Sequence, residues 1–398
     1  MVHDARGPHR MPARPRNAIV GLGLTAQGRV FDHGYMGFAA RAVALALADA
    51  GLPKEALDGL LVNPGLSWSN PAMASATLQQ ALGLRDLRLS AAMNIGGATA
   101  CAMIQQACFA IDAGLATTVA CVFSDAPIKP PSPGGSGRRS TPYSMARGWD
   151  AAFGYIGVNP RYAMIAARHM HVYGTTQDQL GRVATTQRDW ARDNPAAEMR
   201  ERPLSLDDYH ASRWIVEPFH VHDCCLVSNG GACVIVTDIA RAKALRRPPV
   251  PLLGYGQGHP GTDPLETLST GATIAGPTAF AMAGLSPADI DIAELYDCYT
   301  FTVLVTLEDY GFCPKGEGGR FVESGATARG GALPVNTGGG QLSSFYMWGM
   351  TPVIEAVIQL RGEGGARQVA DADVALVSGN GGILATHSCL VLGSARAA

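Results

Sequence analysis

Residues 87–126, LRLSAAMNIGGATACAMIQQACFAIDAGLATTVACVFSDA, decide the class of fold. An apolar run is followed by the turn Asn94-Ile95-Gly96-Gly97, a stretch with helical spacing of apolar residues, and a second β-rich run. Strand, glycine turn, helix and strand in succession predict a mainly parallel sheet covered by helices. The upstream sequence continues the alternation. NAIVGLGLTAQGRVF (17–31) reads as a strand and glycine turn, and MGFAARAVALALADAGL (36–52) as a helix ending at a glycine. DGLLVNPG (58–65) then gives a strand and MASATLQQALGL (73–84) a helix.

After Ala126 the pattern breaks. PIKPPSPGGSGRRSTP (127–142) and the Arg-, His-, Met- and Trp-rich helices that follow predict a cap at about 127–218, inserted into the α/β scaffold. The β-rich signal returns at DCCLVSNGGACVIVTD (223–238), and RAKALRRPPVP (241–251) reads as a connector. Beyond it, LETLSTGATIAGPTAFAMAGL (265–285) and DIDIAELYDCYTFTVLVTLEDYGF (289–312) repeat the order of the first half, before a glycine-rich turn, a helix and a β-rich close. The expected organisation is a flexible tail at 1–15, a first half at 16–245 that includes the cap, and a second half at 250–398. No repeat of solenoid length is present.

With 47% hydrophobic and 16% charged residues in 398, much surface is expected to be hidden between layers or subunits, and an oligomer follows. A net charge of −2 without a long Lys/Arg run removes the electrostatic source of nucleic-acid binding. The nine cysteines show neither paired zinc spacing nor a secreted disulfide framework, and the apolar stretches are too short to span a bilayer. A reducing cytoplasm is the expected location.

Three segments can carry chemistry. ELYDCYTFTVLVTLEDYGFC (294–313) sets Glu294, Tyr296, Asp297, Cys298 and Tyr299 before an apolar helix, a junction where α/β proteins bind ligands. The plainer reading makes Tyr296 and Tyr299 packing residues with tethered hydroxyls. LPVNTGGGQLSSFYMWGM (333–350) carries Gly338, Gly339 and Gly340, then Ser343, Ser344 and Tyr346; its backbone amides can hold an anionic oxygen, or its glycines can serve a tight turn alone. LVSGNGGILATHSCLVLG (376–393) places Ser378, Gly379, Asn380, Gly381 and Gly382 in a turn between apolar runs, which a plain hairpin also explains.

These segments in this order, with IVGLGLTAQGR (19–29) and HVHDCCLVSNGGACVIV (220–236), resemble the thiolase superfamily, specifically its sterol carrier protein x branch, over about residues 17–393. The resemblance implies a thiolase-like α/β fold: two similar halves packed as five layers, α-β-α-β-α, a homodimer, and acyl-CoA substrates. Yet the thiolase residues are missing. The turn that would hold the nucleophilic cysteine reads Asn94-Ile95-Gly96-Gly97, with Cys101 later, inside the helix, where a small buried apolar role suits it. The Asn-Glu-Ala-Phe segment appears as Tyr296-Asp297-Cys298-Tyr299, the Gly-His-Pro turn as Phe345-Tyr346-Met347, and the later cysteine as Ser378. An intact Gly258-His259-Pro260 follows the connector instead and reads as structural.

The paired tyrosines resemble those of the aldolases that shorten steroid side chains as CoA thioesters. That resemblance implies cleavage of a β-hydroxyacyl-CoA to a ketone and a shorter acyl-CoA such as propionyl-CoA, work alongside a separately encoded zinc-ribbon and OB-fold protein, and no cofactor besides the CoA of the substrate. Retro-aldol chemistry needs a base, a stabilised enolate and an acid, but no acyl-enzyme. Lys54, Lys129, Lys243 and Lys315 lie in polar or Pro/Gly-rich contexts unsuited to a Schiff base, and His220-Val221-His222-Asp223 is the nearest approach to a metal cluster. Tyr296 and Tyr346 are therefore expected to transfer protons. Gly339, Gly340 and the region of Gly381 are expected to donate amides to the thioester oxygen, with Asn94, Gly96, Gly97, Asp297, Ser378 and Asn380 around the substrate. The competing readings are an acyl-CoA transferase or carbon–carbon bond-forming enzyme with Cys298 or a displaced cysteine as nucleophile, and a non-catalytic scaffold subunit.

Overall fold

The computed structural model describes residues 15–130 and 157–397. The expected tail, apart from its last residue, and the 131–156 portion of the expected cap lie outside the described residues.

The first half builds a sheet from β1 (Asn17–Leu24), β2 (Gly59–Pro64), β3 (Leu89–Ala92) and β4 (Thr118–Asp125). A small hairpin of β5 (Trp214–Val216) and β6 (Phe219–His220) intervenes in the chain before β7 (Gly230–Asp238) completes that sheet. The second half uses β8 (Val250–Gly258), β9 (Ile292–Leu295), β10 (Val374–Gly381) and β11 (Thr386–Gly393). The spatial orders are β3-β2-β4-β7-β1 and β9-β10-β11-β8. Where the first half has β3, the second has a single parallel bridge between Ala293 and Val335. With that bridge counted, both halves follow one order, as the duplication read from the sequence requires.

The halves also join. Ala18 pairs with Pro251 and Ile19 with Val250, so the nine strands form one continuous sheet. Two helices are enclosed between its halves: α3 (Thr99–Asp112) and α8 (Met350–Leu360), each touching strands from both sides. The strands alternate accordingly. Ile19, Val119, Cys121, Val234 and Val236 meet Met103, Ile104, Val353 and Val357 in the central layer, with Val377, Leu390 and Leu392 opposite. Their neighbours Val20, Ala120, Val122, Cys233 and Ile235 face outward onto α1 (Tyr35–Ala50) and α2 (Ala74–Leu82). On the far side, Leu295, Leu376 and Val391 pack against α6 (Ala272–Ala283) and α7 (Thr300–Asp309), and α7 is in turn covered by α4 (Asn159–Tyr173) and α5 (Gln177–Ala191). Period-two alternation with both faces apolar is what buries a sheet on both sides, and the result is the expected five-layer order.

The outer helices sit unusually close to the sheet. A Cβ at Gly23 on β1 would lie 2.0 Å from the Ala42 carbonyl oxygen of α1, and one at Gly256 on β8 would lie 2.2 Å from the Ala275 oxygen of α6. The two halves thus share one packing device, a strand glycine under a helix carbonyl. Gly256→Val is expected to destabilise the fold by about 3 kcal/mol or more, since the clash is with backbone rather than a movable side chain. Gly34→Ala, whose Cβ meets nothing within 4 Å, should cost under about 1 kcal/mol at its helix N-cap. Thermal unfolding of the two variants side by side checks this.

Candidate active site

Two segments of the second half converge beyond the end of β9. Tyr296 directly follows that strand, and Tyr346 lies between the glycine turn and α8. Their hydroxyls are 2.8 Å apart and their rings meet edge to face, with centroids 6.4 Å apart. Tyr296 is 5% exposed, whereas Tyr346 is only partly buried. The first half supplies the wall behind them. A Cβ at Gly97 would fall 2.2 Å from the Tyr296 ring and 2.5 Å from the Asn380 carbonyl oxygen, a backbone atom that cannot swing aside, so only glycine fits. The same residue's carbonyl lies against Gly349, just before α8, so the N-termini of both central helices meet at the tyrosine pair. Helix N-termini favour negative charge.

Burial first, and then the charge of Tyr346, hold the Tyr296 phenol well above its ordinary 10.0. Burial, then Cys225 and Cys298, push Tyr346 the same way. Both are phenols at rest, and the bond between them leaves one hydroxyl proton free to point toward a substrate.

Asp297 faces away from the pair. Its carboxylate accepts the amides of Gln341, at 2.9 Å from each oxygen, and Leu342, at 3.2 Å. The glycine turn does hold an anionic oxygen, but the oxygen is the chain's own. Burial raises Asp297 to about 7, with the Gln341 and Leu342 amides opposing. Gly340 lies against this carboxylate and against Gln187 of α5. Gly339 packs on Ala191 at the end of α5, and its amide donates to the Asn336 carbonyl at 2.8 Å.

Asn94, Gly96 and Gly381 gather on the first-half side. Asn94 is exposed and its Oδ1 accepts the Gly96 amide at 3.0 Å. Gly96 takes φ +66 and abuts Gly381, whose own Cβ would sit 2.0 Å from the Ile95 carbonyl oxygen. The expected turn at 378–382 is corrected: Ser378 to Gly381 continue β10 in register with β11, Ser378 opposite Cys389 and Gly381 opposite Thr386, and the chain reverses only after them. As strand residues they point alternately: Gly379 and Gly381 face the start of α3, while Ser378 and Asn380 share the opposite face. There the Ser378 Oγ meets Tyr310 at 2.9 Å and His387 at 3.0 Å, all buried, and Asn380 donates to the Tyr296 carbonyl at 3.3 Å.

Several residues escaped sequence reading. Ser228 Oγ accepts the Tyr346 amide at 2.9 Å and donates to Glu198, a carboxyl raised by burial. Tyr162 of α4 reaches Asn380. Ser228 sits within the β-rich stretch 223–238, and nothing local marks it, Glu198 or Tyr162 as neighbours of the pair. Thiol chemistry finds no support: all nine cysteines are free, and burial pushes Cys298 up to about 12 and Cys101 further, away from thiolate. His220 gives its Nδ1 to the Ser212 carbonyl at 2.7 Å and stacks on Trp214, while Asp223 takes the Tyr209 hydroxyl at 2.8 and 2.9 Å. His259 contacts Thr386 and Gln257, a structural position. Among the described residues, no group of three or more His, Cys, Asp or Glu could hold a metal ion, and no helix is long and apolar enough to cross a membrane.

Comparison with known proteins agrees with this geometry. Residues 261–394 match the family described as thiolase C-terminal domain-like. A steroid side-chain-cleaving aldolase from Thermomonospora curvata is 37% identical over 391 residues, covering 95% of this chain and 98% of that one. The 17-hydroxy-3-oxo-4-pregnene-20-carboxyl-CoA lyase of Mycobacterium tuberculosis is 34% identical over 392 residues, covering 94% and 98%. Among solved structures, the Ltp2-ChsH2(DUF35) aldolase superposes with a TM-score of 0.87 at 34% identity, over 96% of this chain and 99% of that one. A chain so matched along its length, with thiols buried and two phenols joined where the central helices begin, belongs to the thiolase superfamily and is a carbon–carbon lyase of its aldolase branch.

Proposed function

We propose that the chain cleaves a β-hydroxyacyl-CoA, a steroid side-chain CoA thioester, to a ketone and a shorter acyl-CoA such as propionyl-CoA, with Tyr296 and Tyr346 moving the protons. The 2.8 Å contact between the two hydroxyls carries this reading. The substrate class follows the relatives, one of which is a lyase of a 17-hydroxy steroid carboxyl-CoA.

In the reaction, the substrate hydroxyl gives its proton to one phenol as the bond between the α- and β-carbons breaks. The electron pair moves onto the thioester as an enolate, and the β-carbon becomes the ketone. The first phenol's proton passes across to the second, whose own proton goes to the α-carbon, so atoms and charge balance without a standing phenolate. Tyr346 takes the hydroxyl side because it is the partly exposed member, and Tyr296 the α-carbon side. The thioester oxygen rests toward the start of α3 and the Gly381 region, where helix dipole and backbone favour developing charge. Gly339, whose amide is already engaged, and Asp297 act through the glycine turn that carries Tyr346. Asn94, Gly96 and Gly97 shape the opposite wall. CoA enters only as part of the substrate.

The reading includes a homodimer, a reducing cytoplasmic setting consistent with nine free thiols, and a separately encoded zinc-ribbon/OB-fold partner, in keeping with the two-component name of the solved aldolase. The cap, through α4 and α5, shapes the acyl site.

Incubating the purified chain, with any copurifying partner kept, with a 17-hydroxy steroid C22 side-chain CoA thioester should release 17-ketosteroid and propionyl-CoA, followed by mass spectrometry. Tyr296→Phe and Tyr346→Phe should each lower kcat by about 10²- to 10⁴-fold, and the double variant should be little worse, because a relay fails when either phenol is lost. Full activity in both variants would overturn the assignment. Because both phenols lie above 10.0, kcat should show no phenol-ionisation limb below pH 10; a profile losing activity through a group near 9 would contradict the resting phenol pair.

A further inference from the structure

Tyr162 has no place in the chemistry described above, yet it is buried beside it. It lies in the first turn of α4, three residues after Asn159, and these two positions share a helix face. Asn159 Oδ1 accepts the hydroxyl of Tyr299, and the ring of Tyr162 lies on that of Tyr299 with centroids 4.5 Å apart. The Tyr162 hydroxyl in turn donates to Asn380 Oδ1 at 3.3 Å. Asn380 then passes its Nδ2 to the main-chain carbonyl of Tyr296, also at 3.3 Å.

We infer that Tyr162 is a positioning residue for Tyr296, acting through the side chain of Asn380, so that the cap helix α4 sets the orientation of a phenol that belongs to the other half of the fold. The inference rests on the assignment of Tyr296 to proton transfer. An amide side chain has one acceptor end and one donor end, and here each end has one job. If the acceptor end loses Tyr162, a buried oxygen is left unpaired, and the amide gains reason to rotate away from the Tyr296 carbonyl. That carbonyl keeps Thr302 Oγ1 at 3.1 Å, and the Tyr296 amide keeps the Ser378 carbonyl at 3.0 Å. The segment therefore stays folded, while the side of it facing Gly97 loses its lateral tie. With the Tyr296 ring confined by the backbone of Gly97, a small turn of its main chain shifts the hydroxyl relative to Tyr346, and proton transfer is sensitive to such shifts. Among the described residues no hydrogen bond joins Tyr162 to Tyr346, and its hydroxyl otherwise meets Cys298, so its loss should act on turnover rather than on binding.

The experiment compares Tyr162→Phe, Asn380→Ala and the double variant with wild type, each as the full chain with any copurifying partner, using the same β-hydroxyacyl-CoA and with Tyr296→Phe as reference. Tyr162→Phe removes one hydroxyl and keeps the ring stack on Tyr299, so the thermal midpoint should stay close to wild type. The expected result is a kcat about 10-fold lower with KM within about two-fold, and a double variant no slower than the slower single one, the mark of one shared pathway. Should the stability of Tyr162→Phe fall, Asn380→Asp keeps an acceptor for Tyr162 but has no donor for the Tyr296 carbonyl, and it should show the same loss of kcat. Wild-type turnover in Tyr162→Phe beside an inactive Tyr296→Phe would overturn the positioning role and leave the aldolase reading standing. A raised KM at unchanged kcat, or losses that multiply in the double variant, would also overturn it, making Tyr162 a pocket wall or an independent contributor. Full activity of Tyr296→Phe would instead overturn the reading beneath it.

Discussion

A buried carboxylate holds the two tyrosine-bearing segments in register. Asp297 follows Tyr296, and the amides it accepts belong to Gln341 and Leu342, shortly before Tyr346. The phenols lie 50 residues apart in sequence, and neither belongs to regular secondary structure, so without this tie their separation would depend on loop conformation alone. Hydrogen bonds to an ionised group contribute about 1.5–3 kcal/mol each, yet burial still lifts Asp297 to about 7. Desolvation therefore outweighs the amide donation at this carboxyl. The interaction fixes geometry more than it adds stability, which is the usual balance for a buried charge.

That constraint has a counterpart in the first half. The resemblance to thiolases puts their nucleophile in the turn that here contains Gly97, where any Cβ would collide with the Tyr296 ring. A side chain at position 97 and a phenol at position 296 compete for one space, at the N-terminus of a central helix where negative charge is favoured. The thiols at Cys101 and Cys298 lie away from thiolate because burial drives both up.

The fold was legible because its signals are periodic. Ile19, Val119 and Val234 alternate with Val20, Ala120 and Cys233 between two apolar layers, and helices ending at Gly51 and Gly83 announce themselves by their left-handed caps. The five-layer stacking came from resemblance, since alternation gives two buried faces but not what covers them. Tyr296 and Tyr346 were legible as departures from a known pattern. Asp297 was visible as polar, but its destination was not, because a carboxylate at a loop gives no hint that its partners are amides 44 and 45 residues away. Ser378 was misread as part of a turn because the glycines that follow it, Gly379, Gly381 and Gly382, look like one; strand pairing outweighed them and sent its hydroxyl to Tyr310 and His387. Glu198, Ser228 and Tyr162 gave no local signal, being tertiary neighbours only.

Why two phenols rather than one follows from the same burial. A lone tyrosine acting as base would have to carry a phenolate in a site where desolvation, before any neighbour is considered, disfavours that charge. In the proposed relay, two phenols sharing a proton avoid it, since each gains one proton as it gives up another and the pair itself carries no net charge. The arrangement demands a short, well-aligned contact, because a relay stalls at the first misplaced hydroxyl. Hence the density of ties around the pair: Asp297 on the turn before Tyr346, Ser228 on the Tyr346 amide, Asn380 on the Tyr296 carbonyl and Gly97 against the ring. A nucleophilic thiolate needs a lowered pKa; a phenol relay needs only geometry, and geometry is what these contacts supply.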